Sequence, residues 1–218
     1  MSNAGRWTIA VLAVFVVIGV ALWRQLDDEQ PRSAPASPGP SAAARAHRDA
    51  DTAQALAGPR ARAALRPCPP AGTGPGPEAL RGISAECAAD GSSVDVEAMV
   101  AGRAVVLNLW AYWCGPCADE LPAMAEYQRR MGNKVTVVTV HQDENETAGL
   151  LRLADLGVTL PTLQDGRRLI AAALHVPNVM PATAVLRSDG TVAGILPRPF
   201  TSADEIAAAV NPQLGVSG

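Results

Sequence analysis

The chain has 218 residues, 48% of them hydrophobic, and a formal net charge of −3. That length allows one medium domain plus appendages. From residue 68 onward 16 acidic side chains outnumber 10 basic ones, so the folded part offers no phosphate-binding surface and nucleic acid is excluded as an expected partner.

The first element is apolar. Trp7 to Trp23 runs without a charge, carries a tryptophan at each edge as interfacial anchors do, and is bracketed by Arg6 and Arg24. It predicts a single transmembrane helix within residues 1–24. The competing reading is a cleaved signal peptide ending at Gly19-Val20-Ala21, but the run is long for a signal core and continues into Leu22-Trp23. A short leader of this kind leaves the amino terminus in the cytosol and exports everything after residue 24, where disulfides persist. Residues 25–66 are rich in Ala, Pro and Arg with few large apolar side chains, which predicts a flexible linker, transiently helical at most over 42–65.

The domain is expected over residues 67–214. Pro-rich turns surround Cys68, an extended element is expected within Leu80 to Cys87, and Asp90-Gly91 marks a hairpin turn before Ser93 to Val96. A short helix near Val96 to Val100 leads into the continuous apolar strand Ala104 to Trp110. The next helix starts at Gly115, contains Pro122, and stops at Gly132-Asn133; a second buried strand spans Lys134 to Val140. The polar run His141 to Thr147 lacks the glycine and spacing of a calcium loop and reads as a helix cap. Helical periods follow at Leu150 to Leu156 and Leu169 to Leu174, separated by Leu160-Pro161-Thr162-Leu163. Ala182 to Leu186 and Thr191 to Leu196 form a hairpin around Ser188-Asp189-Gly190, and Ser202 to Val210 a terminal helix. The core order is β-α-β-α-β-β-α.

Trp113-Cys114-Gly115-Pro116-Cys117 lies where the apolar strand meets a helix start. Unpaired N–H groups at a helix N-terminus stabilise a thiolate, so Cys114 reads as the nucleophile. Cys117, one turn on, reads as the resolving thiol. Zinc would need a second ligand pair; Cys68 and Cys87 are 19 positions apart and His47, His141 and His175 form no cluster, so no metal is expected, while an inert pair stays as the structural alternative.

The stretch Asn108 to Pro122 resembles the N-x-W-A-x-W-C-x-P-C-x-x-E-x-P signature of the membrane-anchored TlpA/ResA-like (CcmG/DsbE-related) thioredoxins. The resemblance implies an α/β thioredoxin fold with an N-terminal extension and a central insertion from about Asn145 to Leu163. It also implies an exported thiol-disulfide oxidoreductase at the cell membrane, with no cofactor beyond the redox-active Cys114–Cys117 disulfide. Thioredoxin itself has an aspartate where Asn108 stands, so the resemblance assigns proton chemistry to Glu120, against a plain reading as a first-turn glutamate favoured by the helix dipole.

A cis-proline opposite the cysteines is implied as well, and of Pro161 and Pro181 the latter directly precedes a strand and hairpin. Trp113, Gly115, Pro116, Met180 and Pro181 are then the expected substrate-contacting residues. Cys68 and Cys87 lie outside the common core, where a structural disulfide is expected and a redox relay is the rival. Expected partners are disulfide-containing clients such as apocytochrome c, a membrane electron donor of the CcdA/DsbD kind, and the membrane itself. The alternatives are the same exchange in the oxidising or isomerising direction and a non-catalytic binding module.

Overall fold

Residues 51–217 are described by a computed structural model. Among them no helix is long and apolar enough to cross a membrane, and the expected span of residues 1–24 lies outside the described residues, as does most of the expected linker. A seven-stranded mixed sheet organises the domain. Its strands are β1 (Ser84–Cys87), β2 (Ser93–Asp95), β3 (Val105–Trp110), β4 (Thr136–His141), β5 (Thr162–Gln164), β6 (Ala182–Leu186) and β7 (Val192–Leu196), in the spatial order β2-β1-β5-β4-β3-β6-β7. β3 pairs in parallel with β4 and antiparallel with β6, and β4 pairs in parallel with β5.

Central β3 is buried at all six residues, as a strand covered on both faces must be. Its alternation sends Val105, Leu107 and Leu109 to one side, where they pack with helix α2 (Val96–Val100) and helix α5 (Leu169–Ala173). Val106 and Trp110 pack on the other side with Leu121, Met124 and Tyr127 of helix α3 (Gly115–Met131) and Ile206 and Val210 of helix α6 (Ala203–Leu214). Asn108 shares that second face by parity, and the register of one strand therefore aims a buried amide at α3.

Two expectations need correction. The segment Leu160-Pro161-Thr162-Leu163, expected to separate two helices at the end of the insertion, instead leads into strand β5 (Thr162–Gln164), which bridges β4 to the β1–β2 hairpin. Three residues are too few for a periodic signal, and pairing on both sides supplies the hydrogen bonds that make the strand. The linker expected to extend to residue 66 also ends earlier. Ala53–Ala63 forms helix α1, capped by Thr52, whose side chain accepts from the Ala55 N–H at 3.2 Å, and packed against helix α4 (Glu146–Leu156). Local composition is poor for a docked helix, with Pro59 inside it. The helix is held instead by a small contact of Leu56 and Ala63 with Ala88 and Leu150, and by ion pairs of Arg60 with Glu86 and Glu146.

Candidate functional site

Cys114 is the N-cap of α3, and its sulfur accepts the Cys117 N–H at 3.2 Å. The chain leaves β3, turns through Ala111 to Trp113 and enters the helix with Pro116 in the first turn, where a missing N–H costs nothing. The two cysteines are disulfide-bonded, with Cα atoms 5.2 Å apart. Cys114 retains slight exposure while Cys117 is fully buried. Gly115 and Pro116 are exposed, and Trp113 is 59% exposed, its indole N–H donating to Asp143 Oδ2 at 2.9 Å. An outside thiol or disulfide thus meets Cys114, and Cys117 can be reached only from within.

Glu120 is fully buried one turn after Cys117 on α3, which removes the reading of a solvated first-turn glutamate. Its Oε2 accepts from Asn108 Nδ2 at 2.7 Å, and its Oε1 from the Phe200 N–H at 3.1 Å. Burial pushes the carboxyl up to about 7 despite these two bonds, which favour the ionised form. Asn108 Oδ1 has no partner. An amide can present Nδ2 to a carboxylate or, turned over, Oδ1 to a carboxylic acid, so Asn108 can serve both protonation states of Glu120. Asn108 stands where thioredoxin has an acid, and its parity on β3 is the sequence signal for this contact. Nothing in the sequence marks Phe200, whose N–H arrives from the loop before α6.

The Met180–Pro181 peptide is cis, and Pro181 is buried at the entrance to β6, where Ala182 pairs with Leu109. Met180 packs against the apolar cluster that contains both Cys114 and Cys117. Val179 beside it is one of the few exposed large apolar residues. Trp113, Gly115 and Pro116 are chain neighbours of the two cysteines, and Met180, which precedes Pro181, packs against the cluster that contains them.

Cys68 and Cys87 form a second disulfide, with Cα atoms 5.9 Å apart. Cys68 packs on the β3 face opposite the α3 side, so the body of the sheet lies between the two disulfides. His141 is buried, tilted against Trp110 with ring centroids 4.8 Å apart, and its Nδ1 shares a 2.8 Å hydrogen bond with Gln164 Oε1; burial lowers its pKa. The polar run it begins caps α4 through Asn145, whose Oδ1 accepts from Ala148 N–H. Among the described residues no group of three or more His, Cys, Asp or Glu side chains could hold a metal ion.

Residues 67–209 match the Redoxin family model. The Bacillus subtilis thioredoxin-like protein YneN is 35% identical over 101 residues, covering 43% of this chain and 56% of its own length. The thiol-disulfide oxidoreductase ResA of the same organism is 31% identical over 96 residues, covering 44% and 53% respectively. The chain thus spans about half the length of these relatives. Among solved structures, a secreted Mycobacterium tuberculosis disulfide oxidoreductase homologous to E. coli DsbE aligns with a TM-score of 0.54 at 26% identity, over 62% of this chain and 98% of that one. A DsbF homologue from Corynebacterium diphtheriae aligns with a TM-score of 0.50 at 30% identity, over 58% and 82%.

Proposed function

The chain belongs to the Redoxin family, and from that premise we propose that it is a TlpA/ResA-like thiol-disulfide oxidoreductase that reduces protein disulfides. The observation that carries this reading is the asymmetric pair at the start of α3, with Cys114 slightly exposed, Cys117 fully buried, and a buried carboxyl, Glu120, one helical turn further on. In the reduced protein the Cys114 thiolate, favoured by the helix N-terminus, attacks one sulfur of a client disulfide and displaces the other as a thiolate. Glu120 takes the proton of Cys117, whose sulfur then attacks the Cys114 sulfur and displaces the second client sulfur as a thiolate, and water protonates both client thiolates. Two electrons pass to the client, and the protein is left with the Cys114–Cys117 disulfide.

The same proposal includes a membrane anchor at residues 1–24, an extracytoplasmic domain, apocytochrome c as a client, and a CcdA/DsbD-type membrane donor that restores the dithiol. It is supported by the apolar leader and by likeness to ResA and DsbE-like proteins. Trp113, Gly115, Pro116, Met180 and Pro181 would touch the client, and Cys68–Cys87 would be a structural bridge. Cys117→Ser should trap clients as mixed disulfides on Cys114, and the wild type should accelerate insulin reduction by dithiothreitol. No acceleration and no trapped client would leave a binding module. Direction is decided by the reduction potential: a value near roughly −270 mV makes the protein a reductant, and one near roughly −120 mV an oxidant.

A further inference from the structure

Helix α1 lies at the end of the segment that joins the domain to the amino-terminal leader, and a short polar relay runs from it to the redox site. Arg60 is its one deeply set charge, with a side chain 12% exposed. Its guanidinium donates to Glu86 of β1 at 2.5 Å and to Glu146 at 3.0 Å. It lies over Gly91 in the β1–β2 turn, where an added Cβ would come within 2.7 Å of it.

Glu146 is the first residue of α4, and its side chain is only 5% exposed. Burial raises its carboxyl to about 7 in spite of Arg60. Directly before it is a tight turn. Asp143 Oδ1 accepts the Asn145 N–H at 2.9 Å, Glu144 O accepts the Glu146 N–H at 3.0 Å, and Asp143 O accepts from Gln164 Nε2 at 2.6 Å. The other oxygen of Asp143 holds the Trp113 indole, next to Cys114. A second contact joins the residue just before the α1 cap to α4, with Asp51 Oδ1 accepting from Thr147 Oγ1 at 3.4 Å.

We propose that Arg60 is a positioning residue for the redox site, through which the docking of α1 sets the turn Asp143–Glu146 and, with it, the orientation of Trp113. This rests on the oxidoreductase reading for its kinetic consequence, though not for its geometry. Removing Arg60 leaves Glu146 a buried carboxyl without its cation, which must gain a proton or swing toward water. The first turn of α4 then relaxes and Asp143 loses its fixed aim. The tether thereby reports to the face that meets clients: an undocked α1 weakens client binding, and the sulfur chemistry itself is left intact.

The test uses the oxidised full-length chain in detergent micelles, labelled with ¹⁵N-tryptophan, the Trp113 indole peak being identified by its loss in Trp113→Phe. Asp143→Ala defines the peak position of the unheld indole. Arg60→Gln should move the peak toward that position, and Arg60→Lys should keep it near wild type. Should Arg60→Gln fail to fold, Glu146→Gln, which neutralises the other end of the pair, must move the peak in the same direction. In client-disulfide reduction Arg60→Gln should raise KM roughly two- to tenfold at unchanged kcat, the scale on which such networks couple, and the double variant with Asp143→Ala should be no worse than Asp143→Ala alone. An indole peak that stays at the wild-type position in Arg60→Gln, or two KM effects that multiply in the double variant, would overturn the proposal. A wild type without exchange activity would remove the oxidoreductase reading, and the indole peak would still judge the coupling.

Discussion

Replacing Glu120 by glutamine gives the most direct measure of the buried carboxyl. In the oxidised protein burial raises its pKa from an ordinary 4.5 to about 7. Below pH 4.5 the side chain is protonated in both folded and unfolded states and costs nothing. As pH rises from 4.5 to 7 the unfolded chain gives up its proton first, so stability falls through that window and the full penalty stands above it. A rise of that size corresponds to about 3 kcal/mol.

Glu120→Gln keeps an oxygen for the Phe200 N–H, and a turned-over Asn108 can accept from the new amide through the Oδ1 that now lacks a partner. The variant should therefore match wild type near pH 4 and exceed it by about 3 kcal/mol at pH 8. Urea unfolding of both oxidised proteins, followed by near-ultraviolet circular dichroism across this range, measures the difference. Glu146 titrates in the same window, but its contribution is common to both proteins and cancels. A stability difference that does not change with pH would refute the assignment of a raised pKa to Glu120.

Three further outcomes follow from the same geometry. Asn108→Leu removes the donor to Oε2 and should raise the Glu120 carboxyl further above its wild-type value of about 7, moving the pH profile of exchange to higher pH; an unmoved profile would disconnect Asn108 from the proton chemistry. Cys68→Ala with Cys87→Ala opens a bridge across 19 residues and should lower unfolding stability by about 3 kcal/mol, while the exchange rate of the Cys114–Cys117 pair is unchanged; a lost rate would favour a relay. Leu56→Ala removes a 2% exposed side chain from a contact that lies outside the main core, so limited proteolysis within residues 51–66 should accelerate with little change in the global unfolding midpoint.

The elements with strong local signals were readable in order. β3 is a continuous apolar run, Gly132 stops α3, and Asp90-Gly91 and Asp189-Gly190 turn the hairpins, because each depends on properties of neighbouring residues. What was missed depends on partners far away in the chain. β5 exists because β1 and β4 flank it, and α1 because Arg60 meets Glu86 and Glu146, 26 and 86 positions on.

The site divides in the same way. The chemistry of two thiols at a helix start was determined by five consecutive residues, since a cap, a turn of helix and a thiol pKa are local matters. The proton affinity of Glu120 was not, because it comes from desolvation among residues brought from β3, α3 and the loop at Phe200. Nor was the aim of Trp113, which Asp143 holds from 30 positions away. Sequence alone determined which atoms can react; burial and long-range pairing, which exist only once the chain has folded, decided how strongly each holds its proton and which face it shows.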